Sequence, residues 1–99
     1  MEKEIVLNTE EVMHYVKNEV EQYDILEISY NRIYVPAEVL DIEHEGESEI
    51  ESLNLLLKLK GELLNDTVQL DLVQIKDDII EIRHINSKEH EVIIVIEET

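Results

Sequence analysis

A 99-residue chain with 25 acidic and 8 basic side chains has a net charge of −17, a field that repels nucleic acid and anionic membrane and attracts basic surfaces or metal ions. It has no cysteine, which excludes disulfides and thiolate sites. Its 43% hydrophobic residues are enough to bury a core, which argues against disorder, and the length suits one domain spanning residues 1–99.

Past a short apolar segment at Ile5–Leu7, Asn8 and Glu11 have the spacing of a capping box. A helix over Thr9 to Tyr23 is predicted, because Val12, Met13, Val16, Val20 and Tyr23 recur at three and four residues and form one stripe for the core. From Asp24 the period changes to two. Ile25–Tyr30 and Ile33–Val35 predict paired strands around an Asn31-Arg32 turn, and Pro36, unable to donate to a ladder, predicts an edge or a bulge.

From Asp41 to Glu51 an acid occupies every second position: Asp41, Glu43, Glu45, Glu47, Glu49 and Glu51. That is a strand's period, and it would put all six on one face. Two readings compete for the continuation. Ser48 with Glu51 spaces a second capping box, and Ile50 to Lys60 followed by Gly61 fits a helix. A hairpin turning at Gly46 instead pairs Val39 with Leu53, Ala37 with Leu55, Val35 with Leu57 and Ile33 with Leu59, all apolar. On the same face farther out it sets Glu43 against Glu49 and Asp41 against Glu51, with Ile42 against Ile50 on the other side. The hairpin is preferred because one register explains both an apolar base and an acidic tip.

Strands over Thr67 to Ile75, Ile79 to Ile85 and Glu91 to Glu97, with turns at Lys76–Asp78 and Asn86–Glu89, follow. The expected architecture is α+β: one N-terminal helix packed on an antiparallel β-meander of about six strands, from which the 38–52 hairpin projects. Val92–Ile96 is apolar at every position, which predicts cover on both faces, by the helix or by a second copy in a homo-oligomer. It is also the longest apolar run and too short to span a bilayer; with no apolar leader either, the protein is expected in the cytoplasm.

No spacing points to catalysis. His14, His44, His84 and His90 lack a ligand spacing, the serines lack a nucleophile motif, and only Gly46 and Gly61 are available to cradle a phosphate, so no catalytic residue, cofactor or metal is assigned. Asp41-x-Glu43-x-Glu45-Gly46 matches the opening of an EF-hand loop, but Ser48 and Ser52 stand at its eighth and twelfth positions, where an apolar residue and a bidentate Glu belong. Tyr30 and Tyr34 read as the rim of a core or as interface anchors.

What remains is charge. Between Arg32 and Lys58 there are seven acids and no base. Like charges directly across a ladder destabilise by up to roughly 1 kcal/mol per pair, so the acidic hairpin implies a purpose outside folding, either a partner's positive surface or solubility in a salty medium. Same-face side chains repeat at about 6.8 Å, a scale comparable with a phosphate backbone. The sequence therefore predicts a non-catalytic inhibitor that mimics DNA and fills the basic cleft of a nuclease or other nucleic-acid-binding protein, as a phage-encoded anti-CRISPR or anti-restriction protein does in its host. Asp41, Glu43, Glu45, Glu47, Glu49 and Glu51 would supply the potential, and Ile42 with Ile50 an apolar contact. An immunity protein or antitoxin against a basic toxin, and a structural or assembly protein, are the alternatives.

Overall fold

The computed structural model describes residues 2–60 and 66–97. Strand β1 (Glu2–Leu7) leads into helix α1 (Thr9–Glu19). The capping box forms as its spacing predicts: Asn8 Oδ1 accepts from the Glu11 N–H at 2.9 Å, and the Asn8 N–H donates to Glu11 Oε1 at 3.0 Å. The helix stops at Glu19 rather than Tyr23. Val20 is already extended (φ −86°, ψ 129°), while Tyr23 is left-handed (φ 74°) and 63% exposed. Val20 packs in the core from outside the helix, so the periodic stripe outlasts the helix that it describes.

Strands β2 (Ile25–Tyr30) and β3 (Ile33–Glu45) form the expected hairpin, with positive φ at both Asn31 (41°) and Arg32 (67°), the handedness that suits twisted strands. Strand β4 (Ser52–Leu59) replaces the alternative helix over 50–60, whose stop at Gly61 lies outside the described residues. After β5 (Thr67–Asp71), the Asp71 side chain accepts from the Val73 N–H and caps a one-turn helix, α2 (Leu72–Ile75), so the strand expected to reach Ile75 ends early. Strands β6 (Ile79–Ile85) and β7 (Glu91–Ile96) complete the chain.

Among the described residues seven strands form one sheet in the order β1-β7-β6-β2-β3-β4-β5, with β1 parallel to β7 and the other pairs antiparallel. The antiparallel meander of about six strands is thereby corrected. Ile5–Leu7 belongs to a strand that the charges at Glu2, Lys3 and Glu4 disguised, and two connections cross the sheet instead of turning back. The pairing makes β1 run parallel to β2 and β5 parallel to β6, so α1 and α2 lie on crossovers. These traverse the sheet in opposite directions between strands of opposite sense, so a common hand places both on one face. Val12, Met13 and Val16 of α1 and Leu72 of α2 share one buried cluster there with Leu26, Leu55, Leu57 and Ile82, all at most 1% exposed.

No helix among the described residues covers the other face. Val92–Ile96 divides accordingly. Ile94 is in the core, whereas Ile93 lies on the bare face between its cross-strand neighbours Glu4 and Arg83 and is 7% exposed without a second layer above it. Pro36 sits in an interior strand and not on an edge. Its carbonyl accepts from the Lys60 N–H at 3.0 Å, so its nitrogen also faces β4, where that ladder ends, and the missing donor removes only a terminal rung.

Candidate functional site

The acidic stretch is placed by a bulge. The β2–β3 ladder ends at Glu38, opposite Ile25, and shortly beyond it β3 gains a residue: Val39 pairs with Leu57 but Asp41 pairs with Leu56, leaving Leu40 without a partner. One extra residue flips every side chain beyond it to the other face. Without the bulge, Asp41, Glu43 and Glu45 would share the face of Val39 and point into the core. With it they stand on the bare face, and Ile42 turns inward to pack against the core.

This corrects the predicted register. Ala37 meets Leu59 rather than Leu55, Val39 meets Leu57 rather than Leu53, and Asp41, Glu43 and Glu45 meet Leu56, Asn54 and Ser52. Acids do not face acids. The physical reason is a longer loop, over residues 46–51, which shifts the pairing and spares the ladder its like-charge rungs. Beyond the bulge β3 has β4 on one side only, and its charges also protect that open edge.

The loop is held in shape. Gly46 takes φ +90°, and a Cβ there would lie 2.0 Å from the Glu49 carbonyl oxygen, so no other residue fits without rearrangement. The Glu51 N–H donates to the Glu45 carbonyl at 2.8 Å, and Ile50 is drawn into the core, 4% exposed. All six acids are exposed, in two groups: three in a row on β3, and Glu47, Glu49 and Glu51 around the loop. Ile50 and Ile42 are used by the core, which removes them as the free apolar contact predicted for a partner. Asp41, Glu43 and Glu45 project from an extended strand flanked by no helix, so the EF-hand opening has no loop to build on. Among the described residues no three acids or histidines converge as metal ligands.

A second polar constellation was missed in the sequence because its members lie far apart. His84 Nε2–H donates to Asp24 Oδ2 at 2.7 Å, the Glu21 N–H donates to the same oxygen at 3.0 Å, and the Tyr15 hydroxyl donates to His84 Nδ1 at 2.8 Å. With a carboxylate facing Nε2, the ring hydrogen sits there and Nδ1 accepts. Asp24 and His84 are 2% and 4% exposed. The Tyr15 ring stands edge-on to His84, centroids 5.6 Å apart. Burial, then Glu19 and Asp24, raise the Tyr15 pKa above its ordinary 10.0, so the phenol is held as a donor and is a poor nucleophile. No buried side-chain nitrogen or oxygen among the described residues lacks a partner. The triad thus ties α1, the turn after it and β6 together. The one sequence signal was His84 on the same strand face as Ile82, a polar residue at an apolar position.

A family model described as an uncharacterized protein conserved in archaea (DUF2097) matches residues 3–95, from β1 to β7. The chain belongs to this family. Membership overturns the phage-encoded, anti-CRISPR setting expected from charge, since the family is one conserved in archaea; net charge carries no information on which genome encodes a protein. No curated protein and no solved structure matches the chain. No helix among the described residues of this family member is long and apolar enough to cross a membrane.

Proposed function

We propose that this family member is a non-catalytic binding protein of the cytoplasm that uses its acidic arm to cover the basic, nucleic-acid-binding surface of a partner protein. The observation that supports this reading is the presentation of six exposed carboxylates, Asp41 to Glu51, on an arm whose loop is fixed by Gly46 and Ile50. Charge displayed from an ordered segment binds without a further ordering cost. Carboxylates this close together steer a cationic surface at low ionic strength, and salt screens the attraction. One row of three acids and a loop of three do not reproduce two rows of phosphates, so the reading is electrostatic masking, not imitation of the duplex.

The test is capture from an archaeal lysate on the immobilised protein. Basic nucleic-acid-binding proteins are expected to be retained, stripped by high salt and displaced by duplex DNA. The E43K/E45K/E47K/E49K variant, folded by circular dichroism, is expected to lose them. An unchanged set on that variant refutes the site, and a set without basic nucleic-acid-binding proteins refutes the function. Retention that DNA does not compete with points to neutralisation beside the active surface, as by an immunity protein or antitoxin. Assembly of several copies is the remaining reading; it would have to use Ile93 with Val6 on the bare face, not the inward half of β7.

A further inference from the structure

We infer that the bare face of β3, β4 and β5 docks an extended polypeptide segment carrying arginine or lysine at alternate positions; this rests on the arm being a protein-binding surface and adds the conformation of what it binds. The registers align this face in rows. Asp41, Leu56 and Gln69 form one, Glu43, Asn54 and Asp71 the next, and Glu45 and Ser52 the third. Each begins with an acid on β3 and continues in neutral residues, except that the second ends at Asp71, whose Oδ1 is occupied by the Leu53 and Val73 N–H groups. A recess of about 220 Å³ lies among Asp41, Glu43, Asn54, Leu56 and Gln69, and one of about 360 Å³ lies among Glu43, Glu45, Ser52 and Asn54, with His44 beside it.

The chemistry of these recesses suits a long cationic side chain more than a bare ion. Leu56, 37% exposed, floors the first recess and offers apolar surface to an aliphatic stem. A guanidinium on that stem reaches the carboxylates of Asp41 or Glu43, and the Asn54 and Gln69 amide oxygens accept its remaining N–H groups. Among the described residues none of the three β3 acids has an ion pair, and Lys58, the base of β4, stands opposite Glu38 instead. The spacing selects the conformation of the occupant. Acids on β3 repeat at about 6.8 Å, and so do alternate side chains of an extended peptide. A helical segment or a block of adjacent arginines has a different period and cannot fill successive rows.

The experiment compares two synthetic peptides of identical composition, one with three arginines alternating with threonines and one with the arginines adjacent, titrated against the full chain with amide chemical shifts as the readout. The alternating peptide is expected to bind about tenfold tighter, the equivalent of one charge-assisted contact, and to move Asp41–Glu45, Asn54, Leu56 and Gln69. Leu56→Ala, which alters no charge, is expected to weaken the alternating peptide selectively, whereas the loop variant E47Q/E49Q weakens both alike. Equal affinity for the two peptides, or an alternating peptide indifferent to Leu56→Ala, overturns the inference. If that happens while basic proteins are still captured, masking by charge stands and only the extended segment falls. If neither peptide binds and no basic protein is captured, both fall.

Discussion

Two carboxylate environments in this molecule are opposites. Asp24 is 2% exposed, and one of its oxygens receives both His84 and the Glu21 amide. Asp41, Glu43 and Glu45 stand on a bare sheet face with no ion pair among the described residues. A buried charged group survives only when its hydrogen-bonding capacity is met, so Asp24 is fully committed to the fold. An exposed row of like charges contributes nothing to folding and mildly opposes it. The difference separates acids that the structure needs from acids that it merely carries, and only the second kind is free to bind something else.

The sharpest way to break that separation is Asp24→Ala. It leaves the His84 and Glu21 donors buried and unmet, and is expected to cost about 3 kcal/mol in denaturant unfolding. Asp24→Asn refines the result. Both donors converge on Oδ2, so a carboxamide oxygen placed there can still accept both, and the loss is expected to be smaller. If Ala costs no more than Asn, the hydrogen bonds are not what holds this corner. Next in size is Gly46→Ala, which forces a Cβ against the Glu49 carbonyl at positive φ and is expected to cost about 2 kcal/mol. It is also expected to weaken capture of the partner, because the loop acids lose their fixed display while the β3 row keeps its own. Unimpaired capture would assign binding to the row alone.

Much of this was legible in the sequence, for identifiable reasons. The capping box of Asn8 and Glu11, the Asn31-Arg32 turn and the strand at Ile79–Ile85 are fixed by local geometry, and each is present. What failed was non-local. A parallel β1–β7 pair joins the two ends of the chain, and no local period announces it. The bulge at Leu40 reverses the facing of Asp41 to Glu45 through a single unpaired residue, so alternation predicted correctly that these acids share a face but not which face. Ile50 was misread because, flanked by Glu49 and Glu51, it resembled a surface residue, although it anchors the loop from within. The triad joins residues 60 and 69 positions apart, and only the sheet's topology brings them together.

Alkaline pH probes the buried side with a smaller effect. The Tyr15 pKa is raised, first by burial and then by Glu19 and Asp24, so ionisation is disfavoured in the folded state only. Below pH 10.0 the phenol is protonated in both states and its contribution is intact; as pH climbs from there through the raised folded value, that contribution is lost. The denaturation midpoint is expected to fall above pH 10, and Tyr15→Phe is expected to flatten part of that fall while lowering the neutral-pH midpoint through the lost bond to His84. An alkaline fall of equal slope in Tyr15→Phe would show that the exposed groups raised in the same direction, Tyr34 and Lys76, account for it.

The smallest stability effect is the most telling for function. Glu43→Gln exchanges a carboxylate for an amide, as Asp24→Asn does, but at an exposed site between Asp41 and Glu45 where the charge has no ion pair among the described residues. Removing it relieves repulsion along the strand, so stability is expected to rise by a few tenths of a kcal/mol or stay unchanged. Affinity for a basic partner is expected to fall, with a shallower dependence on salt, because one charge has left the contact. Opposite signs for the same chemical change at positions 24 and 43 would place the fold in one carboxylate and the binding in the other. A loss of stability at Glu43, measured by the same denaturant midpoint, would mean that the row has an internal role and that its exposure is not a vacancy for a partner.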